Sequence, residues 1–261
     1  MGANAQDAQN AAAEAAALMD AAPAAAAKVE KPKLWVSSLK TNVNFGQTSL
    51  TNWAAGGDNT VSLAAYIDGN ANWKKNDMFW NNRLQLDYGF LWASSKPILQ
   101  KNTDRIYLES KWGYKTPSMK NFYFSANFDF KSQFSTGYDY NTPSSLVDPN
   151  TGLELEGSAL RQAWRDARNL KSGFLAPAYT NLALGIDYKP AKWLSVNFAP
   201  LTGGFVIVKD ESLRESYSME KTESGEYKAA KFEFGAQIKA DVKVNVNDNF
   251  SYSTQVVLFA N

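Results

Sequence analysis

Nine segments of this chain alternate apolar and polar residues, and, apart from terminal positions, the apolar parity of each segment carries no Asp, Glu, Lys or Arg. The third segment shows the pattern in the residues Trp80, Asn82, Leu84, Leu86, Tyr88, Phe90 and Trp92. Charged residues make up 20% of the chain, so composition does not explain their absence from one parity. A strand with one uncharged face and one polar face is typical of a β-barrel in a membrane, where one side meets hydrocarbon and the other water.

The alternating segments predict an all-β fold, an antiparallel transmembrane β-barrel. Most segments exceed the roughly 9–11 residues that a tilted strand needs to cross a membrane, whereas strands of soluble proteins usually have about five or six. A soluble lipocalin-like barrel or sandwich is the alternative, with the apolar face turned inward. We predict strands at 34–46, 60–74, 79–92, 104–115, 121–135, 178–189, 193–208, 230–246 and 250–261.

The predicted connections alternate in length along the chain. Short turns fall at 75–78, 116–120, 190–192 and 247–249, and long loops fall at 47–59, 93–103, 136–177 and 209–229. Outer-membrane barrels show this asymmetry, with short turns on the periplasmic side and long loops outside. The pattern therefore predicts a Gram-negative outer-membrane protein with a periplasmic N-terminus.

Aromatic residues mark both ends of the predicted strands, as in the girdles of membrane barrels. Trp80 and Trp92 are twelve residues apart in one strand, which corresponds to a height of roughly 28 Å at a tilt near 45°. Trp193 is the weak member, because its parity places it on the polar side. The predicted girdle residues are Trp35, Trp73, Trp80 and Trp112 at the short-turn end, with Trp92 and Phe134 at the other end.

The strand count also bears on how the barrel closes. Pro200 and Gly203-Gly204 interrupt the seventh segment, and we predict one continuous strand with a bulge at 200–204, because Pro inside a strand usually marks an edge or a bulge. That leaves nine strands, whereas bacterial single-chain barrels have even numbers. We therefore expect a larger barrel of about 12 strands, of which this chain lacks the C-terminal part.

The first 33 residues differ from the predicted barrel at 34–261. Ala3 and Ala5 before Gln6 resemble the end of a cleaved secretory signal, and an ordinary Ala-rich start is the alternative. We expect the following Ala-rich segment to be mobile or weakly helical.

The composition of the whole chain limits the functions that it can have. The chain has neither Cys nor His and a net charge of +1, so the sequence predicts no catalytic residues, cofactor or metal site of the usual kinds and no nucleic-acid partner.

The polar parity is predicted to line the interior of the barrel. Its charges nearly balance, which favours ion pairs that brace a filled or narrow lumen, while a narrow unselective pore remains open as an alternative. Paired carboxylates of this parity, such as Asp87 and Glu109, are candidates for an enzyme that acts on a glycosidic bond. Leaving out the terminal positions of the segments, the charged residues of this parity are Lys40, Arg83, Arg105, Lys111, Lys131, Lys231, Lys239 and Lys243 against Asp68, Asp87, Glu109, Asp129, Asp187, Glu233 and Asp241.

Two long loops contain candidate contact residues. Trp53 stands beside the glycines of a tight turn, where it could anchor a partner or fold back over the barrel mouth. The loop at 136–177 has Leu153, Leu160, Trp164, Ala167 and Leu170 near helical spacing, with Arg161, Arg165 and Arg168 on another side. This pattern predicts a short amphipathic helix that plugs the lumen, contacts lipopolysaccharide phosphates or a partner, or simply forms a solvated lid.

Three stretches resemble one protein family. They are the residues Asn44–Gly57, Phe174–Tyr179 and Ala199–Gly203. They are similar to the uncharacterised Bacteroidota proteins grouped as domain of unknown function 3078, and the similarity runs from about Trp35 to the end. The resemblance implies an outer-membrane β-barrel with no assigned activity and with several further strands. Residues 143–171 form a longer loop than is usual in that family.

These features favour a structural or partner-binding component of the bacterial envelope, in contact with outer-membrane lipid and lipopolysaccharide and with other envelope proteins. The alternative is a pore or transporter for small solutes. A lipid-active enzyme is a distant third, and the predicted role is not enzymatic.

Overall fold

The computed structural model describes residues 33–52, 57–247 and 249–260. Nine long strands form one antiparallel sheet in which each strand pairs with the next in sequence. The predictions for the N-terminal segment lie outside the described residues, apart from its last position. The strands are β1 (Trp35–Thr48), β2 (Thr60–Lys75), β3 (Met78–Ala93), β4 (Lys96–Lys115), β5 (Phe122–Ser132), β8 (Ala178–Ala191), β9 (Leu194–Ile207), β10 (Ala230–Asn247) and β11 (Phe250–Ala260).

The sheet confirms the all-β fold and the nine predicted strands, but one predicted loop is wrong. The segment 93–103 is not a loop, because β3 and β4 continue to a tight turn at Ser94 and Ser95. Two register shifts accommodate the extension. Alternation did not reveal it because the loops above pack over this part of β4, where Ile98 and Gln100 are buried.

The bulge near Pro200 is present in β9. Phe198 pairs with Ile186 whereas Leu201 pairs with Leu184, so β9 has one residue more than its partner between these pairs. Pro has no N–H to donate to a neighbouring strand, and the bulge removes it from the ladder. The extra residue also changes the parity of the outward side chains: Phe198 and Leu201 are both exposed.

The ends of the strands step steadily across the sheet. A row of register partners begins at Trp35, the first residue of β1, and runs through Trp73 and Trp80. Beyond the bulge the row reaches Ala260, the last residue of β11, which lies ten residues from Phe250 at the short-turn end. The offset is converted to an angle with about 3.3 Å per residue along a strand and about 4.8 Å between neighbouring strands. Across the nine strands it corresponds to a tilt of the strands of about 40°, measured from the normal to a plane through the short turns; we call this tilt the lean.

The sheet is curled with its polar parity inside. Lys239 of β10 forms an ion pair with Glu109 of β4, with 2.7 Å between Nζ and Oε1. Three strands lie between β4 and β10, so a flat sheet would hold the two backbones roughly 19 Å apart. We call this side the concave face. Among the described residues, β1 pairs only with β2 and β11 only with β10, so the sheet is open.

The long loops fold into a layer of their own, which we define as residues 133–177 and 208–229. It contains a hairpin of β6 (Gly137–Tyr140) and β7 (Arg168–Ser172), the helix α1 (Gly157–Asp166) and a short 3-10 helix (Glu211–Leu213). Ala176, Val208, Leu213 and Met219 form a small buried core in this loop layer. The predicted helix is present but shorter than its pattern, since Leu153, Ala167 and Leu170 lie outside it.

Arg214 holds the second half of the loop layer together. Its guanidinium donates to the backbone carbonyls of Val208 (3.2 Å), Tyr227 (3.0 Å) and Lys209 (3.4 Å). Tyr217 then joins the two halves, because its hydroxyl donates to the carbonyl of Lys171 over 3.0 Å. The long loops are therefore cross-linked by hydrogen bonds.

Candidate functional site

The charges of the concave face are organised as ion pairs between strands. The ion pair between Lys239 and Glu109, which we call the brace, joins two strands that have three others between them. Both side chains are mostly shielded from solvent, at 11% and 18% exposure. Glu109 stands opposite Asp129 in register. Like charges directly opposite each other on neighbouring strands repel, and the Lys239 ammonium places a positive charge beside this carboxylate pair.

Asp68 of β2 and Arg83 of β3 form a second ion pair. The guanidinium donates to both carboxylate oxygens, over 3.0 Å from Nε and 2.7 Å from Nη2. Tyr66 donates to Asp68 over 3.0 Å, and Gln85 donates to the Tyr66 hydroxyl over 2.9 Å. Such two-point contacts fix the orientation of the side chains as well as their separation.

Asp187 is fully buried and is the centre of a third group. Lys111 lies 2.7 Å and Lys189 3.6 Å from its Oδ2. Asn197 donates to the other oxygen over 2.6 Å. Lys189 also lies over the Phe79 ring at 4.0 Å, so its charge is shared between a carboxylate and an aromatic face. This group borders a cavity of about 650 Å³ at the short-turn end.

The remaining charged residues of the polar parity are less tightly grouped. Arg105 donates to Asp87 over 2.6 Å, and Gln255 donates to Asp241 over 2.6 Å. Lys231 and Glu233 form a pair at 2.8 Å, with each side chain about one-third exposed. Lys40 stands in register with Asp68. Lys131, on β5, has no carboxylate within ion-pair distance among the described residues.

The two carboxylates considered for catalysis are not adjacent partners. Asp87 lies on β3 and is held by Arg105, whereas Glu109 lies on β4 and is held by Lys239. Each therefore serves an ion pair in this structure. Within the described ranges, no group of three or more acidic side chains is placed to hold a metal ion.

Uncharged polar residues of the concave face were missed by the search for charges. Ser125, Asn127 and Asn197 are buried there, and Asn197 donates to the Ser125 hydroxyl over 2.9 Å. Their place on the concave face could be predicted from the sequence, because they occupy the polar parity, but a pattern of charges alone does not include them.

The predicted girdle residues at the short-turn end form a single cross-strand row on the opposite, convex face. Trp35 and Trp80 approach edge to face, with ring centroids 5.8 Å apart, and the Trp80 indole N–H donates to Ser110 over 2.9 Å. Trp193, by contrast, lies in the turn before β9. The row consists of Trp35, Trp73, Trp80 and Trp112.

At the other end of the sheet, Trp92 pairs with Val61 near the end of β3. Phe134 follows β5, and its ring meets Tyr88 edge to face with centroids 6.0 Å apart. Both side chains are exposed on the convex side of the sheet, at 38% and 44%. Aromatic residues therefore stand at both ends of the apolar surface.

The loop candidates have four different outcomes. Trp53 lies outside the described residues. Trp164 is buried at 5% exposure, so it is not available as a surface contact, and its helix packs against β4. Arg161 and Arg165 are exposed on α1. Arg168 belongs to β7 and lies over the Tyr138 ring at 4.1 Å.

Asp104 fixes the junction between β5 and the loop layer, and sequence reasoning did not find it. Its carboxylate accepts hydrogen bonds from the backbone N–H groups of Phe134 (2.7 Å) and Ser135 (3.0 Å) and pairs with Lys101 (2.6 Å).

Asp58, in the loop before β2, is anchored in a similar way. Hydrogen bonds from the Ser95 side chain hold the pKa of the Asp58 carboxyl below its usual range, and they join Asp58 to the turn between β3 and β4.

We predict that Asp104→Asn will speed amide hydrogen exchange at 134–135 by about tenfold or more, because charge-assisted acceptors contribute about 1.5–3 kcal/mol. Exchange measured by mass spectrometry on peptides that cover this junction checks the prediction. Asp139→Asn is the matched control, since the pair of Asp139 with Lys171 is exposed. Equal exchange in the two variants would show that Asp104 is not the anchor.

The fold and the site define a class: a long-stranded antiparallel sheet, apolar on its convex face and lined by ion pairs on its concave face. Residues 45–138 match the model of the family described as "Protein of unknown function (DUF3078)", the same family that the sequence motifs indicated. No match was found among curated proteins, nor among solved structures. No helix in the described part of the chain is long and apolar enough to cross a membrane.

Proposed function

We propose that this protein is a β-barrel protein of a Gram-negative outer membrane that serves as a structural or partner-binding component of the envelope. The convex face supports the membrane placement, because its exposed side chains are apolar along strand after strand. Leu63, Leu184 and Phe205 are examples, each between 43% and 50% exposed. In water, this whole apolar surface would be exposed to solvent. Monomeric soluble proteins rarely expose apolar patches beyond a few hundred Å².

The geometry of the strands adds independent support. The lean of about 40° that follows from the register agrees with the tilt of about 35–45° in outer-membrane barrels. At that tilt, the twelve residues from Trp80 to Trp92 rise roughly 30 Å. The hydrocarbon core of a bilayer has about the same thickness, so the aromatic residues of β3 would lie at its two boundaries.

The single observation that carries the proposed role is the brace between Lys239 and Glu109. On β4, Glu109 lies between Lys111 and Arg105, which line separate cavities of about 650 Å³ and 460 Å³. The brace therefore crosses the interior between the two cavities. A crossed interior favours a structural role over free conduction, and the hydrogen-bonded loop layer offers a fixed surface to a partner.

A pore for small solutes is the second candidate, and the two cavities favour it. They line different parts of the concave face, on either side of the central brace. Planar-bilayer recordings on the full-length protein distinguish the two roles. Steady conductance in the unmodified protein would support the pore, and its absence would support the braced interior.

The topology can be tested with single cysteines, because the chain contains none. We expect a cysteine at Arg165, on the loop layer, to react with a membrane-impermeant maleimide on intact cells. The matched cysteine at Lys75, the last residue of β2 before a short turn, should react only after the outer membrane is permeabilised. Both native side chains are exposed, so equal or inverted labelling would contradict the proposed orientation.

A further inference from the structure

The cavity of about 460 Å³ lies where the concave face meets the loop layer. Strands β4, β5 and β8 supply its floor, and the hairpin strand β7 and Tyr217 supply its cover. A cavity of this size is within the range of small-molecule sites, about 300–1,000 Å³. Its lining combines cationic and aromatic side chains, which are the residues that the following argument uses.

The charges at this cavity do not cancel. Lys171 is paired with Asp139 and Asp104 with Lys101. Arg105 gives its Nε to Asp87, and its terminal nitrogens form no hydrogen bond to a described side chain. Lys131 forms neither an ion pair nor a side-chain hydrogen bond with any residue that the structure describes. The cavity therefore holds one positive charge in excess.

Two tyrosines form the apolar part of the lining. The Tyr217 hydroxyl donates to the Lys171 carbonyl, which fixes its ring in place. Tyr179 stands directly opposite Lys131 in register, and its hydroxyl forms no hydrogen bond within the described part of the chain. Its ring also borders a second, smaller cavity of about 220 Å³ on the concave face.

We propose that this cavity binds a small organic anion built on a single ring. Lys131 and Arg105 would hold its carboxylate, and the ring would lie against Tyr179. A bare inorganic anion would satisfy the lysine but leave the tyrosine rings uncovered, whereas a neutral ring would leave the excess charge unpaired. The required chemistry is a ring that carries one carboxylate, and both an aromatic acid and an acidic sugar supply it.

This inference goes beyond the proposed function and does not depend on it. The site consists of residues of the sheet and the loop layer, so it forms whether or not the interior conducts ions. A negative binding result would leave the membrane placement untouched. Conversely, failure of the labelling test would not remove the cavity.

Isothermal titration calorimetry on the full-length protein in detergent tests the inference with benzoate, glucuronate and glucose as probes. We expect at least one carboxylate to bind about tenfold or more tightly than glucose, since a hydrogen bond to a charged group contributes that much. Preference for benzoate identifies an aromatic-acid site, and preference for glucuronate identifies an acidic-sugar site. Equal binding of all three, or of none, would overturn the inference.

Substitutions then localise the binding. Lys131→Met should weaken carboxylate binding about tenfold, and Lys131→Arg should retain it within about threefold because the charge and its donors remain. Lys40→Met is the matched control, an exposed lysine of the same parity on β1. Equal losses in Lys131→Met and Lys40→Met would show a general charge effect and would refute the site.

Discussion

Replacing Leu184 by arginine is expected to destabilise the folded protein by about 2–4 kcal/mol in a lipid bilayer. Leu184 lies seven residues from the short-turn end of β8 and is 43% exposed on the convex face. With the lean derived from the register, this position is near the middle of the membrane. The measurement is equilibrium urea unfolding of the full-length protein in lipid vesicles.

Leu63→Arg is the matched control at a different depth. Leu63 is also exposed on the convex face, at 50%, but it lies twelve residues from the end of β2. Arginine near the interface costs about 0–1 kcal/mol, so the two substitutions should differ by at least about 1 kcal/mol. If the convex face were in water, both changes would be nearly neutral. If it packed against protein, both would be costly, without any dependence on depth.

Much of the fold follows from the sequence because the alternation has one cause. Side chains on a strand point to opposite faces in turn, and the two faces here meet different surroundings. That made the nine strands and their approximate ends predictable, including β9, which contains Pro200. The extension of β4 was not predictable in this way, since Ile98 and Gln100 are buried by loops and not by the environment of the sheet.

The site was less predictable because it depends on register and curvature. The sequence placed Lys239 and Glu109 on one parity, but it could not show that strands so far apart bend toward each other. It also could not show that four tryptophans from four strands share one row. For Trp164 the local structure was predictable but the exposure was not. Its helical spacing predicted α1, but helical spacing does not distinguish a buried side chain from an exposed contact.

The central ion pair leads to the second large effect. Lys239→Met is expected to destabilise the protein by about 3–5 kcal/mol, the range for removing one partner of a buried pair. Without the ammonium, Glu109 loses its ion-pair partner and still stands opposite Asp129, so the repulsion between the two carboxylates is no longer offset by Lys239. Glu109→Gln should cost less, about 1–3 kcal/mol, because Asp129 remains as a negative charge near Lys239.

Combining Lys239→Met with Glu109→Gln separates the pair from its surroundings. The double variant should be more stable than Lys239→Met alone, since the repulsion between the two carboxylates is gone. Lys231→Met provides the control, because its pair with Glu233 is about one-third exposed on both sides and should contribute under about 1 kcal/mol. Urea unfolding in vesicles measures the unmodified protein and all four variants. Additive losses in the double variant would mean that Lys239 and Glu109 do not interact, and the brace across the concave face would then have to be abandoned.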